Sequence, residues 1–249
     1  MKKASSPTEA LHKKRFLSLT GLTIDVVTLF PGFFKSPLAE SLLKKAQDRG
    51  LVKIQVHNLR DWTHDRHRTA DDKPFGGGAG MVMKPEPLFE CVEEIGKKSW
   101  VVLLDPQGEP MSQKLAQKLA KKRHLLLIAG HYEGVDQRVK DHLIDQEISV
   151  GDFITMGGEA PALCLIESVT RLIPGVLGNA ESIEHESFQT GMLEHPHYTR
   201  PREFRDWKVP DVLVSGNHHE VKIWRQKAAE QTTKKKRPDL LRSSRRRKI

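Results

Sequence analysis

From residue 23 onward, short apolar segments alternate with amphipathic ones, and this alternation constrains the fold more than any other feature. The apolar segments are 23–30, 52–57, 100–104, 125–129 and 146–150. Each is rich in Val, Ile and Leu and has the length of a strand. The segments 37–49, 87–95, 112–122, 135–143 and 161–173 carry a helical period. In 112–122, Leu115, Ala116, Leu119 and Ala120 line one face and Lys114, Lys118 and Lys121 the other, with Ser112 placed to cap the start. Near-continuous apolar strands alternating with helices predict an α/β fold with a parallel sheet covered on both faces.

Two stretches interrupt the pattern. Residues 60–84, RDWTHDRHRTADDKPFGGGAGMVMK, form a long segment without apolar periodicity, and loops of that length inside a domain are usually functional. Residues 174–200 form another, ending in HPHYTR. Beyond it the strand signal stops and short helices are expected, so a domain boundary is placed near 175–190.

Charge is segregated. Of a formal net charge of +9, residues 234–249 carry +8 and residues 1–22 carry +4, which leaves −3 for residues 23–233. The basic ends read as solvated, disordered extensions or as contacts for a polyanion such as nucleic acid. Cys91 and Cys164 fall in apolar helical patterns and are expected as reduced core residues of a cytoplasmic protein. The first residues have no apolar h-region of a secretory signal, and no run approaches the roughly 20 apolar residues of a membrane span.

Ligands of open parallel sheets bind beyond the carboxyl ends of the strands. Three of those ends carry glycine: LLDPQG (103–108), AGHYEGVD (129–136) and SVGDFITMGG (149–158). The phosphate motifs fail: GGGAGM (76–81) does not complete G-x-G-x-x-G, and G-x-x-x-x-G-K-[ST] is absent. His64 with His67, and His195 with His197, lack a recognised metal spacing, so no side-chain metal site is expected.

The ordered series FPGFF, HRTADDKPFGGGAGMVM, LLDPQG, GHYEGVDQR, SVGDFITMGGEAPALCLIESVTRLIPGVLG, HPHYTRP and SGNHHEVKIWR resembles the bacterial tRNA (guanine-N1)-methyltransferases over about residues 22–241. The resemblance implies a SPOUT-type parallel sheet with a C-terminal trefoil knot, followed by a small all-helical C-terminal domain. It implies a basic extension at 1–21, a knotted methyltransferase domain at 22–178 that binds S-adenosylmethionine, an interdomain loop at 179–196, a helical tRNA-binding domain at 197–241 and a basic tail at 242–249. It implies a homodimer with the active site at the subunit interface, no membrane association, and methylation at N1 of guanine 37 in tRNAs that carry guanine at positions 36 and 37. Magnesium stands as an unassigned second cofactor.

Carried over by position, the donor site comprises Leu103, Leu104 and Asp105; Gly130, Tyr132, Glu133 and Gly134; and Ser149, Val150, Gly151, Asp152, Phe153, Ile154, Thr155, Gly157, Gly158 and Pro161. The tRNA candidates are Arg68, Asp72, Lys73, Arg200 and Arg225, with Arg60, Arg66, Trp62 and Phe75 in the same long loop. The catalytic pair is Arg171, in TRLIPG, and Glu186, in HESF, where the family has Asp in a D-S-F triplet; Glu184 and Glu194 are the alternative acids. Alternative readings are a related enzyme acting on another RNA and an RNA-binding relative weakened in catalysis by Glu186. The tail RSSRRRKI adds phosphate attraction without sequence reading. Deletion of residues 242–249 is expected to weaken tRNA binding mainly at low salt, measured by filter binding across an ionic-strength series.

Overall fold

A computed structural model describes residues 21–178 and 186–245 of the chain, with side chains described through 241. Its first element, β1 (Leu22–Thr28), is the second strand of a five-stranded sheet. The other strands are β2 (Val52–Asn58), β5 (Trp100–Pro110), β6 (His124–Ala129) and β7 (Gln146–Ser149). The order is β2-β1-β6-β5-β7, and every pairing is parallel. These are the five apolar segments of the sequence.

Alternation of side chains along each strand divides the core in two. Leu125 and Leu127 of β6, with Val102 and Leu104 of β5, face one cluster. Leu126 and Ile128, with Val101 and Leu103, face the other. After β1, a 3-10 turn (Pro31–Phe34) leads into α1 (Lys35–Leu38) and α2 (Ser41–Asp48). Leu43 and Ala46 of α2 close the first cluster together with α4 (Gln113–Leu119) and α6 (Glu159–Thr170). The second is closed by α3 (Pro85–Ile95) and α5 (Gln137–Leu143). The long segment between β2 and α3 holds a 3-10 turn (Leu59–Trp62) and the short pair β3 (Asp71–Asp72) and β4 (Val82–Met83).

The departures from expectation are local. The helix expected over 37–49 is broken, because Glu40 is extended and Ser41 takes a φ of 49°. The helix expected from Val135 starts at Gln137, with Asp136 as a side-chain cap that accepts from Arg138 N–H. Strand β5 continues past Leu104: the chain bulges over 105–108 and returns to pair Glu109 with Ile148 and Pro110 with Ser149. Cys91 is buried as expected, but Cys164 is exposed, since Ala162, Leu165, Ile166 and Val169 take the core face of α6.

The chain divides into two compact units, Met1–Gly178 and Asn179–Ile249. The described part of the second holds α7 (His218–Lys236) and α8 (Pro238–Arg245), but it is not all helix. A two-stranded pair, β8 (Glu203–Phe204) and β9 (Trp207–Lys208), precedes them. Phe204 and Trp207 face each other across it with ring centroids 6.3 Å apart, and Arg205 lies beside both rings. The side chain of Asn217 caps α7 by accepting from His219 and Glu220 N–H. Among the described residues no helix is long and apolar enough to cross a membrane.

One buried polar group sits inside the sheet. Asp25 of β1 is 5% exposed and accepts from His57 Nε2 on β2 and His124 Nε2 on β6, both at 2.6 Å. Burial alone would raise the pKa of this carboxyl, but the two imidazole hydrogen bonds outweigh it and hold the carboxyl below its ordinary value of 3.8. A depressed carboxylate pKa stabilises the fold above the unfolded value and is lost as pH falls through the folded one. Asp25→Ala is therefore expected to cost about 2–4 kcal/mol at pH 7 in urea unfolding. Its gap from wild type should narrow as pH drops below about 4.

Candidate active site

The carboxyl ends of β5, β6 and β7 meet around a cavity of about 510 Å³, within the size range of small-molecule sites. The β5 side of its wall is the bulge, including Leu104, Asp105 and Gln107. It lies so close to β7 that a Cβ on Gly108 would fall 2.3 Å from Ile148 N. Asp105 accepts from Gln107 N–H through Oδ1 (2.8 Å) and pairs with Lys140 Nζ through Oδ2 (2.8 Å). Lys140 also reaches Glu147 at 3.0 Å and donates to Gln107 Oε1 at 3.1 Å. Burial would lower the pKa of Lys140, but its bonds to Asp105 and Glu147 outweigh this and raise it, so the ammonium stays charged.

The β6 side is a tight backbone path. Tyr132 has φ 56° and Gly134 has φ 119°, conformations that suit a loop doubling back on itself. This loop is tied to the end of the long 60–84 segment: Met83 N–H donates to Gly134 O, Asp136 N–H to Met83 O and Glu133 N–H to Met81 O. The Tyr132 phenol has a raised pKa, first from burial and then from the nearby Asp71 carboxylate. The β7 side turns at Ser149, whose Oγ accepts from Gly151 N–H and donates to Gly151 O. It closes where Gly158 N–H donates to Gly130 O at 2.7 Å. A Cβ on Gly158 would lie 2.7 Å from Ala129 Cα and Gly130 N, so only glycine fits without displacing backbone.

Of the donor-site candidates, Leu104, Asp105, Gly130, Tyr132, Glu133, Gly134, Ser149, Val150, Phe153, Ile154, Thr155, Gly157, Gly158 and Pro161 line this cavity. Leu103 does not; it is fully buried in the second core cluster. Gly151 and Asp152 lie on the loop without lining it. Several residues at or beside the cavity were not singled out from sequence. Lys140 and His131 line the cavity. Glu159, in the first turn of α6, is 4% exposed, accepts from Thr28 Oγ1 at 2.7 Å and approaches His131 Nε2 at 3.6 Å. A buried acid at a helix start followed by an apolar run is the signal that could have found it.

In the first unit, Arg171 closes α6, its N–H donating to Glu167 O at 3.2 Å. In the second, Glu186 O accepts from Gln189 N–H, and Glu194 N–H donates to Ser187 Oγ at 3.0 Å; Glu184 lies outside the described residues. In the long loop Arg60 donates to Arg68 O, Arg68 stands 3.6 Å from Asp61, and Asp72 Oδ1 accepts from Lys73 N–H. Phe75 is fully exposed, whereas Trp62 is anchored by its indole N–H to Glu94. Arg200 and Arg225 come together with Arg202 and Tyr198 in the second unit, around a cavity of about 410 Å³.

A parallel sheet with a glycine-lined pocket beyond the carboxyl ends of its strands is the arrangement in which α/β enzymes hold a small ligand. A family model described as tRNA (Guanine-1)-methyltransferase TrmD matches residues 22–243, and the chain belongs to that family of methyltransferases. Relatives called tRNA (guanine-N(1)-)-methyltransferase include one from Dictyoglomus turgidum, 57% identical over 221 residues (88% of this chain and 90% of that protein). One from Dehalococcoides mccartyi is 52% identical over 223 residues (88% and 90%), and one from Anoxybacillus flavithermus 53% over 224 (88% and 91%).

Gly158→Ala is expected to destabilise the chain by about 1–3 kcal/mol in urea unfolding and to weaken S-adenosylmethionine binding in calorimetry. Gly32→Ala, whose added Cβ meets nothing within 4 Å, is the neutral control.

Proposed function

We propose that this chain methylates N1 of guanine 37 of tRNA, using S-adenosylmethionine bound at the three strand ends. The observation that carries the reading is the phosphate-free, glycine-lined cavity at the carboxyl edge of the sheet, in a chain matched almost end to end by the methyltransferase family. The residues present suit this donor. Adenine needs an apolar slot with backbone hydrogen-bond partners, which Leu104, Ile148, Val150 and the glycines 130, 134, 157 and 158 supply. The charged lining is Asp105, Glu133 and Lys140, and Lys140 is shared with Glu147, so the wall is acidic on balance and favours a cationic ligand.

When bound, the donor supplies an electrophilic methyl on a sulfonium sulfur. Guanine N1 holds a proton at neutral pH and is a weak nucleophile. The Glu186 carboxylate would take that proton, leaving the N1 electron pair free to accept the methyl group that the donor supplies. The Arg171 guanidinium stabilises charge developing on guanine O6. Glu186 is one methylene longer than the family's Asp, so its loop must hold it further from the base. Arg68, Asp72 and Lys73 with exposed Phe75 form the contact for a splayed nucleotide, and Arg200 and Arg225 grip the tRNA backbone.

Two structural features of the family are part of the reading. A knot is supported by Gly158 N–H bonding to Gly130 O: the chain leaves outer strand β7 and returns across the end of β6, two strands away. A homodimer is supported by Phe153, Ile154 and Met156, which are 60%, 80% and 96% exposed at the pocket's rim in a single chain.

The test is transfer of labelled methyl to a transcript with guanine at 36 and 37, repeated with guanine 37 replaced. Label only on the first supports the reading; none, or label independent of position 37, sinks it. Glu186→Gln and Arg171→Ala are each expected to lower turnover by about 100-fold or more with donor affinity retained. Unchanged turnover in Glu186→Gln removes Glu186 from the mechanism. A gain of activity in Glu186→Asp would show that the site still favours the shorter acid.

A further inference from the structure

We propose that Glu194, His195 and His197 of the second unit form a binding site for a divalent transition ion of the zinc class. It is the one group of three such side chains among the described residues whose ligand atoms all lie within 4.8 Å of one another. His197 Nε2 stands 2.9 Å from Glu194 Oε1, and the two imidazole rings are 4.6 Å apart between centroids.

The local sequence prepares this geometry. Pro196 confines His195 to extended backbone, and residues two apart on an extended segment point to one side. His195 Nδ1 lies 3.2 Å from Pro196 O. A carbonyl oxygen only accepts, so Nδ1 carries the proton and Nε2 of the neutral ring keeps its lone pair. A hydrogen bond of this kind behind the ring is what fixes a metal-binding imidazole. The segment is held at both sides: Leu193 N–H donates to Oγ1 of the fully buried Thr233 at 2.9 Å, and Glu194 N–H to Ser187 Oγ at 3.0 Å.

The donor set selects the ion. Two imidazoles and a carboxylate suit zinc, cobalt and nickel, whereas magnesium and calcium prefer oxygen alone. With metal–nitrogen bonds of about 2.0–2.1 Å, tetrahedral ligand atoms sit about 3.3 Å apart. No separation here exceeds 4.8 Å, so closing them takes at most about 1.5 Å, a rotamer adjustment for Glu194 and His195, which are partly buried, and His197, which is exposed. Three protein ligands leave one position open. His195 and His197 also line the cavity that holds Arg200, Arg202 and Arg225. An anionic oxygen such as that of a phosphate fits the open position, and its charge offsets the guanidinium groups nearby. The spacing missed the usual zinc patterns because all three ligands come from one four-residue stretch, EHPH. The site stands apart from the methyl-transfer reading, and a metal on Glu194 would remove that acid as an alternative base.

The test uses the full chain without an affinity tag, stripped with a chelator, dialysed and titrated with Zn2+ alone against a chromophoric indicator. One equivalent per chain, bound at micromolar levels or tighter, is expected. Co2+ should give the visible bands of nitrogen and oxygen ligation without a sulfur charge-transfer band. Glu194→Gln and His197→Ala should each weaken binding by at least about 100-fold, with unchanged circular dichroism showing the fold intact. The proposal is overturned by no saturable binding, by a full equivalent retained in the His195→Ala/His197→Ala double variant, by a sulfur band that moves the ion to a cysteine, or by Mg2+ competing on equal terms.

Discussion

The pocket depends on one close approach of backbone to backbone. Gly158 lies against Ala129 and Gly130 with no room for a Cβ, and its N–H donates to Gly130 O at 2.7 Å. That contact brings the loop after an outer strand back over an inner one. It sets the start of α6, and with it the placement of Glu159 against Thr28 and His131. Remove it and the loop after β7 has nothing to hold it over the end of β6. The sheet beneath supplies rigidity; this contact gives it a site.

Charge is divided by task. The pocket wall is acidic, with Asp105 and Glu133 set against a single lysine that is itself shared with Glu147. The basic groups lie elsewhere, in the 60–84 segment, around the arginine-lined cavity of the second unit and in the chain ends, which carry more than the whole net charge of +9. A site that favours a cationic small molecule and surfaces that favour a polyanion coexist because they are segregated along the chain.

Much of this was legible in the sequence, and the limits have physical causes. β5 and β6 could be read because an inner parallel strand buried on both faces is nearly continuously apolar, while the outer strands β2 and β7 showed shorter apolar signals broken by polar residues. The convergence of three glycine-bearing ends follows from parallel direction alone. The return of β5 to pair at Glu109 and Pro110 was not legible: D-P-Q-G reads locally as a turn, and pairing with β7 across the fold overrides that. Lys140 carried no signal in the sequence, because Asp105 and Glu147 reach it through tertiary contact. The β8–β9 pair was too short to show a period, and Cys164 turned outward where an apolar helix had one face to spare. The motif carryover named Gly151 and Asp152, which share the loop without lining the cavity, and Leu103, which belongs to the core.

The bulge at 105–108 differs in kind from the other two segments. Both of its ends belong to the same strand and are paired with β7, at Leu104 and again at Glu109, and Gly108 rests on the β7 backbone. It is a bracket bolted at two points, without a free hinge. To swing it aside would unzip part of the ladder, so this wall of the cavity is a fixed surface, and any widening of the cavity falls to the loops from β6 and β7.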